Sequence, residues 1–356
     1  LNKYSLLISF ISVHLAVIFF AFPELMISVE TNAYWIPVTF MFVLEWIFVW
    51  VYLKGLSFFP GMDLAEVLIQ TTGKWAAFII LIPFVFYLLT DVVLMSRNIA
   101  AMVTMIFLPI TPLWALLSFI AISIFCAMGG LPTILRSGMV FLVLFSPVLL
   151  FSFFSTVNYI DLHNALPITD WRFKFLTDHR FYASMFAISP FLFLGVVQSY
   201  HLKLFPKKWH GVLTFIGLLL LFQIAVYIPL LIFSKEAAVT FHFPFVLALD
   251  TVDLEWFLFD RITIFYIISV AIFSTTYGAM ALWVVGTIVH TFCGYWRTHI
   301  YIAGFGLLNY VVTLLIPNFA WIERLTLLEI PLRMYCIAGV PAIVLILGLA
   351  QRRKLA

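Results

Sequence analysis

Apolar residues run in blocks of about 20 along nearly the whole chain, separated by short polar or proline-containing stretches. A helix rising 1.5 Å per residue needs that length to cross the hydrocarbon of a bilayer. The blocks predict ten transmembrane helices, at about 5–29, 34–53, 76–108, 112–129, 133–157, 181–200, 210–234, 257–292, 298–316 and 331–350. The third and eighth exceed a bilayer thickness and must tilt, bend or project. The first is too long for a signal-peptide core and lacks a small-residue cleavage site, so it is expected to be retained. The pattern thus reads as an all-α integral membrane protein, one transmembrane domain over residues 1–356.

Composition agrees. Of 356 residues, 65% are hydrophobic and 10% charged, against roughly 25% charged in a soluble domain. A formal charge of +3, scattered along the chain, argues against a nucleic-acid surface. Cys126, Cys293 and Cys336 have no CxxC spacing, so neither a disulfide framework nor a zinc site is expected. No metalloprotease, serine-hydrolase or phosphate-loop motif occurs, and the eight histidines are dispersed; neither an enzyme nor a cofactor is expected.

The basic residues orient the chain. With the N-terminus inside, the inner segments hold 11 of them, including Lys207, Lys208, Arg352, Arg353 and Lys354, and the outer segments hold 7, including Arg261, Arg324 and Arg333. Cytoplasmic loops carry the basic excess, so both termini are expected on the cytoplasmic side of the membrane. Two longer non-spanning stretches, 158–180 and 235–256, then lie outside, the second as an interfacial helix or lid.

Candidate chemistry lies where the helices are interrupted or charged. Pro23, within Phe20-Ala21-Phe22-Pro23-Glu24, interrupts the first helix, and Ser189-Pro190 with Gly195 interrupts the sixth. Breaks in a membrane helix survive where they line a cavity or are buried in protein. With ten spans, helices one and six are corresponding members of two five-helix halves, and such paired breaks point to a midplane binding site. Ordinary proline kinks are the alternative. Phe20, Ala21, Phe22, Pro23, Ser189, Pro190 and Gly195 are accordingly the candidate ligand-binding residues. Apolar lining from Phe20 and Phe22 favours a hydrophobic amino acid or similar small nutrient over a sugar. Glu24, Glu45, Asp91 and Arg97 are the ionisable groups inside spans, with His14 as a titratable neighbour. Each costs about 2.5–3.5 kcal/mol at a helix centre without a partner. Arg97 is expected either to neutralise Glu45 or Asp91 within the bundle or to meet a ligand carboxylate.

Ten spans, the proline-broken first helix, and Phe243-Pro244-Phe245 followed by Trp256-Phe257-Leu258-Phe259-Asp260-Arg261 resemble the B-subunit family of bacterial spore germinant receptors. The run Phe193-Leu194-Gly195 through Leu204-Phe205-Pro206-Lys207-Lys208 is similar to that family's sixth helix and basic loop. The resemblance implies the amino acid–polyamine–organocation carrier fold: a five-plus-five inverted repeat with broken helices 1 and 6, residues 1–157 forming the first repeat and 181–350 the second. It also implies a subunit that senses a nutrient germinant at the spore inner membrane beside A and C subunits. A symporter of the same fold, or a scaffold with a vestigial pocket, is the alternative. Two departures stand out. Ala16-Val17-Ile18 replaces the family's small residues, often Gly-x-Gly, and Val196-Val197 stands where an acidic residue usually follows the helix-six glycine. Loss of glycine restricts backbone approach, which implies a smaller, displaced or absent amino-acid site. Asp260 and Arg261 are expected to act with Glu45, Asp91 and Arg97 as structural or gating charges, Arg261 tying the 241–256 segment to the bundle through Asp250, Asp253 or Glu255.

Overall fold

The computed structural model describes residues 3–19, 21–167, 169, 173–200, 203–252 and 262–355. Every regular element among the described residues is helical, with no strand. This is the expected solution in lipid, where every backbone polar group must be satisfied inside the protein. Among the described residues, eight helices are long and apolar enough to cross a membrane, and a ninth span is counted if a bent pair, Ser5–Ile18 and Ala21–Ile27, is taken as one. The expected fourth span is shorter than the bilayer requires. Its apolar stretch is the 16-residue helix Leu113–Met128, interrupted near Leu117 and Ser118.

In chain order the elements are α1 (Ser5–Ile18), α2 (Ala21–Ile27), α3 (Trp35–Leu56), α4 (Leu64–Thr72) and α5 (Lys74–Ile106). Then come α6 (Leu113–Leu116), α7 (Phe119–Met128), α8 (Leu131–Ser155), α9 (His179–Ser184) and α10 (Leu194–Val197). The rest are α11 (Lys208–Ala238), α12 (Pro244–Asp250), α13 (Thr263–Cys293), α14 (Thr298–Leu315), α15 (Phe319–Leu328), α16 (Ile330–Met334) and α17 (Val340–Leu355).

α13 is the central post: 83% of its most apolar window is buried, against 22% for α14 and for the α8 span. It packs against α1, α5, α7, α8 and α14. Close approach is made possible by small residues, as in membrane bundles generally. A Cβ on Gly286 would stand 2.5 Å from Ile302, and one on Gly306 of α14 would stand 2.3 Å from Ile124 of α7. α14 and α8 form the rim and expose Leu307, Leu315, Val143 and Phe154 to the expected lipid.

Two spans are interrupted. α1 and α2 meet at 57° across Phe19 and Phe20, so the break precedes Pro23, which sits in the first turn of α2. Proline is tolerated there because a first-turn N–H has no partner within the helix. Carbonyls at the break face α13: Tyr266 donates to Phe19 O at 2.5 Å, and the Ser274 hydroxyl, bonded to Val270 O at 2.8 Å, lies 3.4 Å from Ala16 O. The second interruption is a nine-residue 3₁₀ segment, Met185–Phe193, between α9 and α10. Runs of that length are uncommon, and Ser189-Pro190 explains part of this one. Pro190 has no N–H for the Phe186 carbonyl, which accepts instead from Ser189 Oγ at 2.8 Å.

The stretch expected as an interfacial helix is tucked into the protein. Pro244, Phe245, Val246, Ala248 and Leu249 of α12 are all buried. The Phe245 ring packs 5.3 Å from Phe19 and 5.4 Å from Tyr266, covering the break in the first span. Asp260 and Arg261 lie outside the described residues.

Candidate membrane-embedded binding site

One cavity, of about 50 Å³, lies against the break in the first span. Val17 of α1 and Ala21, Glu24 and Leu25 of α2 form one wall, and Asp91, Leu94, Met95 and Asn98 of α5 form the facing wall. Phe186 of the 3₁₀ segment, Phe319, Ile322, Glu323 and Thr326 of α15, and Arg333 of α16 complete it. The volume admits a few waters; a drug-sized ligand needs about 300–1,000 Å³. Its lining is apolar with a few convergent charges, the usual composition of a small-ligand site.

At the inner end of this cavity three buried charged side chains, Asp91, Glu329 and Arg333, come together. Asp91 accepts a hydrogen bond from the Tyr277 hydroxyl of α13. Glu329, at the junction of α15 and α16, accepts from Thr90 and pairs at 2.6 Å with Arg333 one helical turn on. Arg333 is 1% exposed, donates at 2.8 Å to the carbonyl of Ala183 at the end of α9, and places its guanidinium 5.9 Å from the centre of the Phe186 ring. Its Nε has no partner among the described residues. A buried guanidinium needs both a counter-charge and filled hydrogen bonds; Glu329 and Ala183 supply most of them.

At the opposite end, Glu24 accepts from His242 Nδ1 at 2.9 Å and from the Phe243 N–H at 3.1 Å. The donor atoms of Glu24, His242 and Glu323 lie within 4.8 Å of one another. This group joins α2, the residues leading into α12, and α15, and its Glu24 and Glu323 line the cavity.

The residues singled out by the sequence divide around this site. Ala21 and Asp91 line the cavity. Phe22 is buried against Phe222, ring centres 5.1 Å apart, and Pro23 is buried in α2. Ser189 and Pro190 border a separate crevice with Phe193, Tyr277 and Met280. Gly195 is a packing point: a Cβ there would fall 1.8 Å from the Tyr52 hydroxyl of α3. Phe20 lies outside the described residues.

The charges find partners that spacing did not reveal. Glu45 is hydrogen-bonded to His14, Nε2 to Oε1 2.7 Å, both side chains being fully buried. His14 Nδ1 donates to the Phe10 carbonyl at 2.7 Å, which fixes the ring. Arg97 meets neither Glu45 nor Asp91; its Nε donates to Ile316 O at 3.0 Å and its Nη2 to Pro317 O at 3.4 Å. It therefore caps the C-terminal end of α14, where a cation is favoured by the helix dipole.

A family model described as spore germination protein matches residues 1–320. The chain belongs to that family. No curated protein matches it significantly. Membership of the spore germination family agrees with the all-α membrane architecture, and the matched region contains α1 through the start of α15. It thus includes Asp91 and Glu24 and excludes Glu329 and Arg333, so the buried ion pair belongs to the C-terminal segment beyond the matched region.

Proposed function

We propose that this spore germination protein is the membrane subunit of a germinant receptor, sensing a small nutrient of the amino-acid class in the cavity beside the break of the first span. The observation that carries this reading is the position of that cavity: α1, α2 and the 3₁₀ segment all border it, and Asp91, Asn98 and Arg333 give its apolar lining a few polar groups. The receptor would act beside A and C subunits in the spore inner membrane with both termini cytoplasmic, as the family resemblance and the basic-residue asymmetry imply. The ten-span, five-plus-five inverted repeat belongs to the same proposal, with the short Leu113–Met128 helix standing as the fourth span.

The test is a germination assay on spores of a deletion strain across a nutrient panel, followed by rescue with the wild type and with Ala21→Leu. Ala21 lines the cavity, so the larger side chain is expected to move the nutrient concentration response at normal abundance. An unchanged response would refute this site. The symporter reading is favoured by one observation, a buried acid in the wall of the cavity; nutrient-coupled uptake into proteoliposomes would decide for it.

A further inference from the structure

The charged cluster at the inner end of the cavity does not balance. Asp91 and Glu329 are carboxylates, 5% and 7% exposed, and Arg333 is the one cation acting on Asp91 among the described residues. Glu329 already holds that guanidinium at 2.6 Å. With both acids ionised, the cluster carries one uncompensated negative charge inside the bundle. An unpaired buried carboxylate is far costlier than the same group protonated. The cavity borders Asp91 and reaches Glu24 and Glu323, giving a small aqueous species a way to the acid.

We propose that Asp91, Glu329 and Arg333 form a binding site for one exchangeable proton, which makes this chain proton-linked. The groups facing Asp91 are compatible with that occupant on every side. Tyr87, one turn back on α5, and Tyr277 from α13 supply hydroxyls. Glu329 and Arg333 face it from α16 and the turn before it, and Cys336 from the segment that follows. Glu24 and Glu323 stand farther along the same cavity. A sodium ion would need a shell of several oxygen ligands and would have to sit beside the Arg333 cation that lines the same cavity. A proton needs one oxygen.

The proton has a structural consequence. Arg333 is held by Glu329 and by the Ala183 carbonyl, which closes α9 just before the 3₁₀ segment begins. When Asp91 is protonated, Arg333 belongs to Glu329 and Ala183. When the proton leaves, Asp91 competes for the same guanidinium, and the hold on the sixth span weakens. Proton occupancy at Asp91 is thereby linked to the interrupted element that forms one side of the cavity.

The test is infrared spectroscopy of the full-length protein in lipid nanodiscs, reading the carbonyl stretch of protonated carboxylic acids between neutral and alkaline pH. Wild type is expected to show such a band at neutral pH, shifted in D₂O and lost on alkalinisation. Asp91→Asn and Glu329→Gln should each remove one carboxylic acid's worth of intensity, since either leaves a neutral pair. Glu45→Gln, measured in parallel, accounts for any contribution from the His14 pair. If Asp91→Asn fails to fold, Glu329→Gln gives the same readout. An absent band in wild type, intensity unchanged in both variants, or loss governed by sodium rather than pH would overturn the proposal. The readout needs neither nutrient nor partner, so it stands or falls separately from the receptor reading.

Discussion

Replacing Arg333 by Met keeps the volume of the side chain and removes its charge, its 2.6 Å contact with Glu329 and its 2.8 Å contact with the Ala183 carbonyl. Glu329 is then left with Thr90, and Asp91 with Tyr277, as hydrogen-bond partners. Removing one member of a buried pair costs about 3–5 kcal/mol, because the remaining charge has no compensation. Glu329→Gln is expected to cost less, about 1–2 kcal/mol, the amount of a charged hydrogen bond, since Asp91 is available to balance Arg333 and the amide still accepts from Thr90. The double variant Glu329→Gln/Arg333→Met leaves a single acid and should recover about 1–3 kcal/mol of the Arg333→Met loss. Equilibrium unfolding of the purified protein in mixed micelles measures all three at one pH. Equal losses in the two single variants, or a double variant as unstable as Arg333→Met, would refute the account of the pair as a charge-balanced unit.

Gly195→Ala places a methyl 1.8 Å from the Tyr52 hydroxyl and should cost about 1–3 kcal/mol by overpacking; Tyr52→Phe in the same chain is expected to restore part of it, read as a shift in thermal midpoint. Tyr266→Phe removes the donor to the Phe19 carbonyl at the break and should cost about 1 kcal/mol, checked by the same unfolding measurement. Single cysteines placed at Arg352 or Arg353 should be labelled only from the cytoplasmic face, as the basic clusters predict; labelling from outside intact cells would reverse the topology.

The membrane-spanning architecture is legible in the sequence because lipid demands long, apolar, self-satisfied helices. The position of the first break is less so. Pro23 draws attention to itself, yet a proline is harmless in a first turn, and the bend lies between α1 and α2, before α2 begins. Partners across the bundle are not legible at all: His14 and Glu45 are 31 positions apart, and Arg97 reaches carbonyls 219 and 220 positions away. Arg333 is the clearest omission. Its place at the polar edge of the last apolar run reads as an outer loop, whereas the chain enters α16 there with the side chain facing inward. The signal that marks it is Glu329 four positions before it, the spacing at which opposite charges meet on one helix face.

The missing helix-one glycines and the buried arginine have a common reading. Where a backbone break is free to bind a ligand, its N–H and carbonyl groups must be accessible and small residues must surround them. Here Ala16, Val17 and Ile18 are at most 1% exposed, the carbonyl of Phe19 is taken by Tyr266, and the Ser274 hydroxyl lies 3.4 Å from that of Ala16. The backbone at this break is therefore sealed by α13 and by the Phe245 ring above it. Apart from Glu24 of α2, the polar groups facing the cavity come from side chains of other elements: Asp91 and Asn98 of α5, Glu323 and Thr326 of α15, and Arg333 of α16. A site built this way displaces recognition from the first span toward α5 and the C-terminal helices, so substitutions along α5 and α16 should change the response more than substitutions at residues 16–18.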